Sequence, residues 1–466
     1  MKSAHVIGLG KSGLAAARLL QVQGWAVSLH DRSDTPALQQ QKASLEAEGL
    51  SVDLGRPYAI DQPEPPQRIV VSPGVPWDLP GLQQARQAGI EVMGEMALAW
   101  QTLRDRPWVG ITGTNGKTTT TALIAAIFQG AGLQAPACGN IGYAACELAL
   151  QFVQGQPVDW VIAELSSYQI ESSPEIAPHI GIWTTFTPDH LARHYTLENY
   201  FNIKAKLLEN STYAIFNGED PALRQQIPSR FPQGYWVSTQ GKSHLLGQTL
   251  EGVYLESGWV CFQDPHFQDR HCSDPHQEQR VVRVQDLKMV GQHNAQNLLL
   301  ASAAALKAGI DPQAIAQAVR EFPGVPHRLE QVATYQGVAF INDSKATNYD
   351  AAEVGLAAVD SPVILIAGGD PKEGDDRAWL QAIQQKVAIV LLIGKAAPRF
   401  AERLAQVNYT AVEMVETLDQ AVKRSLDLIP SLQPKVVLLS PACASFDQYP
   451  NFEARGDHFR QLCQDL

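Results

Sequence analysis

Residues 108–120, Trp-Val-Gly-Ile-Thr-Gly-Thr-Asn-Gly-Lys-Thr-Thr-Thr, constrain the fold of this chain more than any other stretch. The apolar residues 108–111 read as a buried strand, a Gly-rich turn follows, and Lys117 opens an apolar, Ala-rich helix. This is the layout of a phosphate-binding loop. Small residues let backbone N–H groups approach phosphate oxygens, the helix N-terminus adds partial positive charge, and Lys117 adds a full one. Gly113, Thr114, Asn115, Gly116, Lys117, Thr118 and Thr119 are the candidate phosphate-binding residues, with the Thr118 hydroxyl offered to Mg²⁺. The spacing is not the strict one, because Ile111 stands where the first glycine of such loops usually lies. The plain alternative is a Gly-rich turn feeding a helix. The coincidence of Gly, Lys and Thr at a strand–helix junction disfavours it.

A chain of 466 residues has room for about three domains. Its net charge of −12 argues against nonspecific nucleic-acid binding, so anions must be met by local Lys, Arg and helix N-termini. Six cysteines without a CxxC pair point to reduced thiols and a cytoplasmic location. The first residues look superficially like a signal peptide, but Gly8, Gly10 and Lys11 cut the apolar part and no cleavage site follows. No apolar run reaches the ~18 residues of a membrane span.

Along the chain, residues 4–7 read as a strand, followed by Gly8-Leu-Gly-Lys-Ser-Gly13, a helix to about Val22, and a second strand ending at Asp31. This G-x-G-x-x-G pattern places a diphosphate at a helix N-terminus and lets Asp31 accept from a hydroxyl or N–H group, without saying which nucleotide binds; a nicotinamide dinucleotide is one reading. Residues 69–71 lead into the turn Ser72-Pro-Gly74, and residues 94–103 read as a helix entering the next domain. After the phosphate loop, a turn presents Asn140, and an apolar strand, residues 160–164, ends in Glu164, where a Mg²⁺ partner or a solvated acid would lie. His190 is a metal ligand or a turn histidine. Residues 197–208 have helical periodicity, with Leu197, Phe201, Leu207 and Leu208 on the core side, and carry Lys204 and Lys206, to which local reasoning assigns no role.

Residues 238–285 are the least regular, and the spacing of Cys261, His266, His271, Cys272 and His276 favours a polar hairpin region over a zinc site. A long Ala/Leu-rich helix is expected from Met289, with Asn294 near its start. The stiff stretch 322–326 reads as a domain boundary. Beyond it, alternating strands and helices predict a mostly parallel sheet whose strands end in three polar loops: Asn342-Asp-Ser-Lys-Ala-Thr-Asn348, Gly368-Gly-Asp-Pro-Lys372, and Ser440 to Tyr449.

The motifs Gly113-Thr-Asn-Gly-Lys-Thr118, Asn342-Asp-Ser-Lys-Ala-Thr-Asn348, Leu439-Ser-Pro-Ala-Cys-Ala-Ser-Phe-Asp-Gln-Tyr449 and Asn451-Phe-Glu-Ala-Arg-Gly456 resemble those of the Mur ligases, the amide ligases of bacterial peptidoglycan precursor synthesis and so of cell-wall growth, shape and division. The resemblance spans the chain. It implies three α/β domains: a Rossmann-like UDP-binding domain (1–94), a central P-loop ATPase-like domain (95–323) and a C-terminal Rossmann-like domain (324–466). The C-terminal text points to the members that add D-glutamate to UDP-N-acetylmuramoyl-L-alanine through an acyl phosphate. By position, Lys11, Ser12, Asp31, Arg32, Ser33, Ser72 and Gly74 would hold UDP, and Asn140 and His190 the muramoyl portion; Lys11 and Ser33 depart from the usual pattern. Asn294, Arg328, Asp343 and Lys345 would join the loop in contacting ATP. Thr347, Lys372, Ser445, Phe446 and Phe452 would hold D-glutamate.

Two Mg²⁺ ions, replaceable by Mn²⁺, would be held by Thr118, Glu164, His190 and Lys206, the last as a carbamate formed with CO₂; Lys204 is the less favoured position. Lys117, Glu164, His190 and Lys206 would be catalytic, converging to let two anions react. Domain closure before chemistry is expected, about hinges at residues 94–106 and 322–327, in a monomer. Competing readings are another Mur-type or folylpolyglutamate ligase with a different acceptor, a nicotinamide-dependent dehydrogenase built on residues 1–93, and a nucleotide-gated binding module.

Overall fold

The computed structural model of the chain describes residues 2–60, 65–247, 251–263, 279–289, 291–371 and 374–464. Apolar runs closed by glycine turns form three sheets. The first holds β1 (Ser3–Ile7), β2 (Ala26–Asp31), β3 (Ser51–Leu54), β4 (Arg68–Val71) and β5 (Glu91–Gly94), parallel throughout, in the order β3-β2-β1-β4-β5. The order reverses between β1 and β4, and the mouths of open α/β sheets lie at such a reversal.

The second sheet holds β6 (Trp108–Thr112), β7 (Ala137–Gly139), β8 (Val161–Glu164), β9 (Ile180–Trp183), β10 (Tyr213–Asn217), β11 (Tyr235–Ser238), β12 (Gly252–Glu256), β13 (Trp259–Gln263) and β14 (Gln279–Arg283). Its order is β14-β13-β12-β11-β10-β9-β6-β8-β7. The phosphate-loop strand β6 lies between β8 and β9, completely buried. The strands β12, β13 and β14 pair as an antiparallel edge. It is less polar than expected, since Val253, Tyr254, Val260, Cys261, Phe262 and Val282 are buried. Of the irregular cluster, Cys261 is buried on β13 with its thiol donating to the Trp259 carbonyl at 3.6 Å, and His266, His271, Cys272 and His276 lie outside the described residues.

The third sheet holds β15 (Glu330–Tyr335), β16 (Val338–Asn342), β17 (Val363–Gly368), β18 (Val387–Ile393), β19 (Val412–Glu416) and β20 (Val436–Leu439), in the order β15-β16-β20-β17-β18-β19. Only the β15–β16 pair among its neighbours is antiparallel. Helices cover the sheets. The Ala/Leu-rich helix begins at Gln292, later than expected. Leu197 is exposed rather than on the core side, because it opens its helix at the surface end; Phe201, Leu207 and Leu208 are buried as their spacing requires.

Packing divides the chain into two compact units, Met1–Leu287 with Gln296–Phe322, and Lys288–Ala295 with Pro323–Leu466. The first two sheets share a unit because the helices Lys11–Val22 and Glu95–Leu103 pack on the helix Ala145–Val153. At that seam Glu95 is buried; its Oε1 accepts from the Cys146 backbone N–H at 2.6 Å, and its Oε2 has no partner. Burial pushes its pKa up to about 7. A raised carboxyl stabilises the fold fully below its unfolded value of 4.5 and loses that contribution as pH rises through about 7. We therefore expect wild-type protein to lose stability on the order of a few kcal/mol relative to Glu95→Gln between pH 5 and pH 8. Melting temperatures of the two proteins across that range check this; a constant difference would contradict it.

Candidate functional site

The phosphate loop is a half-buried turn shaped by its two glycines. Gly113 has φ +150°, and a Cβ there would meet Thr184 Oγ1 at 1.9 Å; Gly116, at φ +82°, caps the helix Lys117–Gly130. Both requirements exclude a side chain. The Lys117 ammonium donates to the carbonyls of Gly113 and Thr114, each at 2.8 Å, so the cation sits over the loop where a phosphate would lie. Thr118 and Thr119 are buried in the first turn, and Thr114 and Asn115 are half-buried. The neighbouring strand β8 pairs Glu164 beside Ile111. Glu164 is 1 % exposed; its Oε1 accepts from the Asn140 side chain at 2.8 Å, while Oε2 is buried with no partner. A carboxylate oxygen left bare in a buried position is strongly disfavoured without a cation.

On the helix Leu197–Glu209 it is Lys204, not Lys206, that faces the phosphate loop. Lys206 is exposed and borders a crevice with Leu165, Ile170 and Asn210. Residues two apart on a helix point to nearly opposite sides, and the side facing the loop belongs to Lys204. That lysine is 1 % exposed, and its ammonium donates to Gly113 O at 3.0 Å and Thr112 Oγ1 at 3.3 Å. It also lies over the Tyr200 ring, 4.7 Å from the centroid. Burial, and then the charge of Lys117, hold its pKa well below the ordinary lysine range. Tyr200 stacks with Phe186 and with His194, and its hydroxyl lies 3.4 Å from Thr114 Oγ1.

His190 is exposed at φ +54°; its Nδ1 lies 3.2 Å from the Tyr168 hydroxyl and its Nε2 3.3 Å from Asp189 Oδ2. Among the described residues no three His, Cys, Asp or Glu side chains gather as a metal cage. A cation here would therefore take most of its ligands from elsewhere, as Mg²⁺ on nucleotide phosphates does.

At the reversal of the first sheet, Asp31 is already engaged: Oδ2 accepts from Leu9 N at 3.0 Å and Oδ1 from Ser33 N at 2.9 Å. It shapes the loop backbone. Ser72 Oγ donates to Gly8 O, and a Cβ on Gly13 would fall 1.9 Å from that same carbonyl, so helix and loop approach as closely as glycine permits. Lys11, Arg32, Ser33 and Gly74 are exposed around this mouth, and Ser12 is half-buried.

In the second unit β16, β20 and β17 are neighbours, so their three C-terminal loops adjoin. Asp343 is buried; Oδ2 accepts from Ser440 Oγ at 2.9 Å and Oδ1 from Leu329 N at 3.3 Å. Burial raises its pKa to about 7, with Arg328 pulling the other way. Arg328 is half-buried with its Nε unpartnered, Asn294 is buried, and the Lys345 ammonium lies 5.5 Å from the Phe452 ring centroid. Ser445 is buried, Thr347 half-buried and Phe446 70 % exposed; Lys372 lies outside the described residues. One residue with no assigned role holds these loops. Arg455, 1 % exposed, donates to Ser344 O, Ser344 Oγ, Cys443 O and Ala444 O at 2.8–3.2 Å.

Three family profiles match the chain: "Mur ligase MurD-like, N-terminal domain" over residues 2–94, "Mur ligase middle domain" over 111–305 and "Mur ligase, glutamate ligase domain" over 327–443. The chain is 62% identical to the UDP-N-acetylmuramoylalanine–D-glutamate ligase of Trichormus variabilis, over 100% of this chain and 99% of that one. It is 59% identical to the ligase of that name from Microcystis aeruginosa, over 100% of both. Among solved structures it resembles UDP-N-acetylmuramate-alanine ligase from Thermotoga maritima (TM-score 0.58, 18% identity, 100% of both chains). It also resembles a pseudomurein peptide ligase type C from Methanothermus fervidus (TM-score 0.58, 19% identity, 100% of both chains). At such identities these two speak for the fold.

Proposed function

This chain belongs to the Mur ligase family and catalyses ATP-dependent addition of D-glutamate to UDP-N-acetylmuramoyl-L-alanine in peptidoglycan precursor synthesis; we propose that the reaction runs through an acyl phosphate formed at the end of β6. A carboxylate resists nucleophiles because it is charged and lacks a leaving group. Transfer of the ATP γ-phosphoryl group to a carboxylate oxygen supplies that leaving group. The D-glutamate amine then attacks the acyl carbon, loses a proton, and the tetrahedral intermediate expels phosphate to leave the amide. Two anions must first meet, so cationic groups dominate the site.

Gly113 to Thr119, including Lys117, take the ATP phosphates. Mg²⁺ would be held by Thr118 and Glu164, whose bare Oε2 is the feature that fits it. When bound, Mg²⁺ neutralises phosphate charge and polarises the transferring group. The carbamylated lysine is assigned to Lys204, not Lys206: adding CO₂ requires a neutral amine, and burial beside Lys117 favours one. The neutral amine adds CO₂, its Nζ–C bond forming as one N–H proton leaves to solvent, and the resulting carbamate anion would hold a second ion, Mg²⁺ or Mn²⁺, with His190.

Lys11, Ser12, Asp31, Arg32, Ser33, Ser72 and Gly74 are assigned to UDP, and Asn140 and His190 to the muramoyl group. Asn294, Arg328, Asp343 and Lys345 are assigned to ATP, and Thr347, Lys372, Ser445, Phe446 and Phe452 to D-glutamate. The domains are taken as 1–94, 95–323 and 324–466, in a cytoplasmic monomer. No helix among the described residues is long and apolar enough to cross a membrane.

The observation that carries the mechanism is the placement of two lysines and a bare carboxylate oxygen around one glycine loop. Labelled D-glutamate incubated with UDP-N-acetylmuramoyl-L-alanine, ATP and Mg²⁺ should enter the sugar nucleotide with stoichiometric ADP and phosphate. Stronger turnover with meso-diaminopimelate or D-Ala-D-Ala would overturn the acceptor assignment.

A further inference from the structure

The segment that follows β4 reaches from the UDP mouth to the central sheet's loops. Within it the Arg86 guanidinium stacks on Trp77, 4.1 Å from the ring centroid, and its Nη1 donates to Trp77 O at 3.0 Å. That brace fixes the backbone immediately before Asp78. Opposite stands the segment that follows His190. There Arg193 is gripped by Glu171, its Nε and Nη2 donating to Oε2 at 3.2 and 2.8 Å, and it lies 5.5 Å from the centroid of the Tyr168 ring. Between the two, the Tyr195 hydroxyl donates to Asp78 Oδ2 at 2.9 Å, and Arg193 Nη1 reaches Oδ1 at 3.5 Å.

Tyr195 is otherwise hard to account for. It is 73 % exposed, so burial does not hold it, and its backbone sits at φ +66°, a region that L side chains occupy only against strain. An exposed pair adds little to stability. The position makes sense if the contact is used for geometry. Its two ends bracket the sugar nucleotide as assigned above: Asp78 lies shortly after Ser72 and Gly74, and Tyr195 shortly after His190. The same two lobes are joined near the chain crossing by Gly94 N donating to Ser172 O at 2.7 Å, where a Cβ on Gly94 would meet Ser172 Oγ at 2.3 Å. The lobes are also held by the seam of helices Lys11–Val22 and Ala145–Val153. The Asp78–Tyr195 contact adds a tie at the mouth, beside the loops assigned to the sugar nucleotide.

We infer that Asp78 and Tyr195 are positioning residues, a latch between the first two lobes that sets the distance from the UDP loops to the reacting end of the sugar nucleotide. This rests on the UDP-sugar assignment. Small errors in that distance matter, because misplacing a reacting group by about 1 Å can cost about a hundredfold in rate.

The test measures the KM of full-length enzyme for all three substrates in Tyr195→Phe, Asp78→Asn and the double variant. All are near-isosteric changes at exposed positions. Each single change should raise the KM for UDP-N-acetylmuramoyl-L-alanine about fivefold, the scale of an exposed charged contact. The double variant should be no worse than the worse single, and the KM values for ATP and D-glutamate should stay within about twofold. Multiplying single effects, an unmoved sugar-nucleotide KM, or an equal rise for ATP would each remove the latch while leaving the ligase reading intact. Wild-type protein inert towards the sugar nucleotide would remove the ligase reading and the latch with it.

Discussion

Lys204→Ala should reduce kcat by at least about a thousandfold, the scale of losing a group that stabilises transferring phosphate, while Lys206→Ala stays within about twofold of wild type. Lys204 touches the carbonyl of Gly113 and the hydroxyl of Thr112 from a fully buried position, and Lys206 leaves the same helix towards solvent. Loss of folding is not the expected cause. Among the described residues no carboxylate hydrogen-bonds the Lys204 ammonium, so removing it relieves a desolvation penalty, and the variant should melt no more than a few degrees below wild type. If the lysine works as a carbamate, short carboxylates such as acetate should partly restore Lys204→Ala, because they can supply the missing anion. Intact-protein mass measured without acid should show a labile CO₂ adduct that Lys204→Ala lacks. Equal loss in both variants, or an adduct that persists in Lys204→Ala, would return the role to Lys206.

The contrast between the two lysines marks where sequence reading succeeds and where it stops. The strand–loop–helix of residues 108–120 and the parallel sheets were legible because apolar runs, glycine turns and period-3.6 helices are local signals. So was the clustering of three C-terminal loops, since parallel strands place their ends on one edge. The face of the Lys204 helix was also legible in principle. Tyr200, Phe201, Leu207 and Leu208 are all three or four residues from Lys204, so the apolar stripe passes through that lysine and misses Lys206. A lysine at a core position of an amphipathic pattern outweighs a match of neighbouring letters. Arg455 carries the same signal, lying in register with Phe452, Phe459 and Cys463 on one side of the last helix. What no local pattern could supply is the use of Asp31, whose oxygens are spent on the backbone of its own sheet edge. The bond to Leu9 joins residues far apart in sequence and exists only once β1 and β2 are aligned.

Arg455→Met should both destabilise the protein and weaken D-glutamate binding. Among the described residues no carboxylate hydrogen-bonds the guanidinium, and burial, opposed by the charges of Cys443, Asp447 and Tyr449, brings its pKa down to about 10, so the site gives up solvation to keep a cation there. Its four bonds go to three carbonyls and one hydroxyl of the loops after β16 and β20, and the Ala444 carbonyl also receives Asp370 N from the loop after β17. Methionine fills part of the volume but leaves the Ser344 and Cys443 carbonyls without this donor, at about 1–3 kcal/mol each, while the Ala444 carbonyl keeps Asp370 N. Relief of the guanidinium's desolvation offsets part of this. The unpaired carbonyls win because there are two of them, and we expect a net loss of about 2 kcal/mol in urea unfolding. Since Thr347, Ser445 and Phe446 ride on the same loops, the KM for D-glutamate should rise more than tenfold in the folded fraction, with the KM for the sugar nucleotide within about twofold. Arg455→Lys keeps the charge but cannot span all four acceptors, so it should recover stability partially and the D-glutamate KM less. A methionine variant as stable as wild type, with an unchanged D-glutamate KM, would show that the loops hold their shape without the clamp.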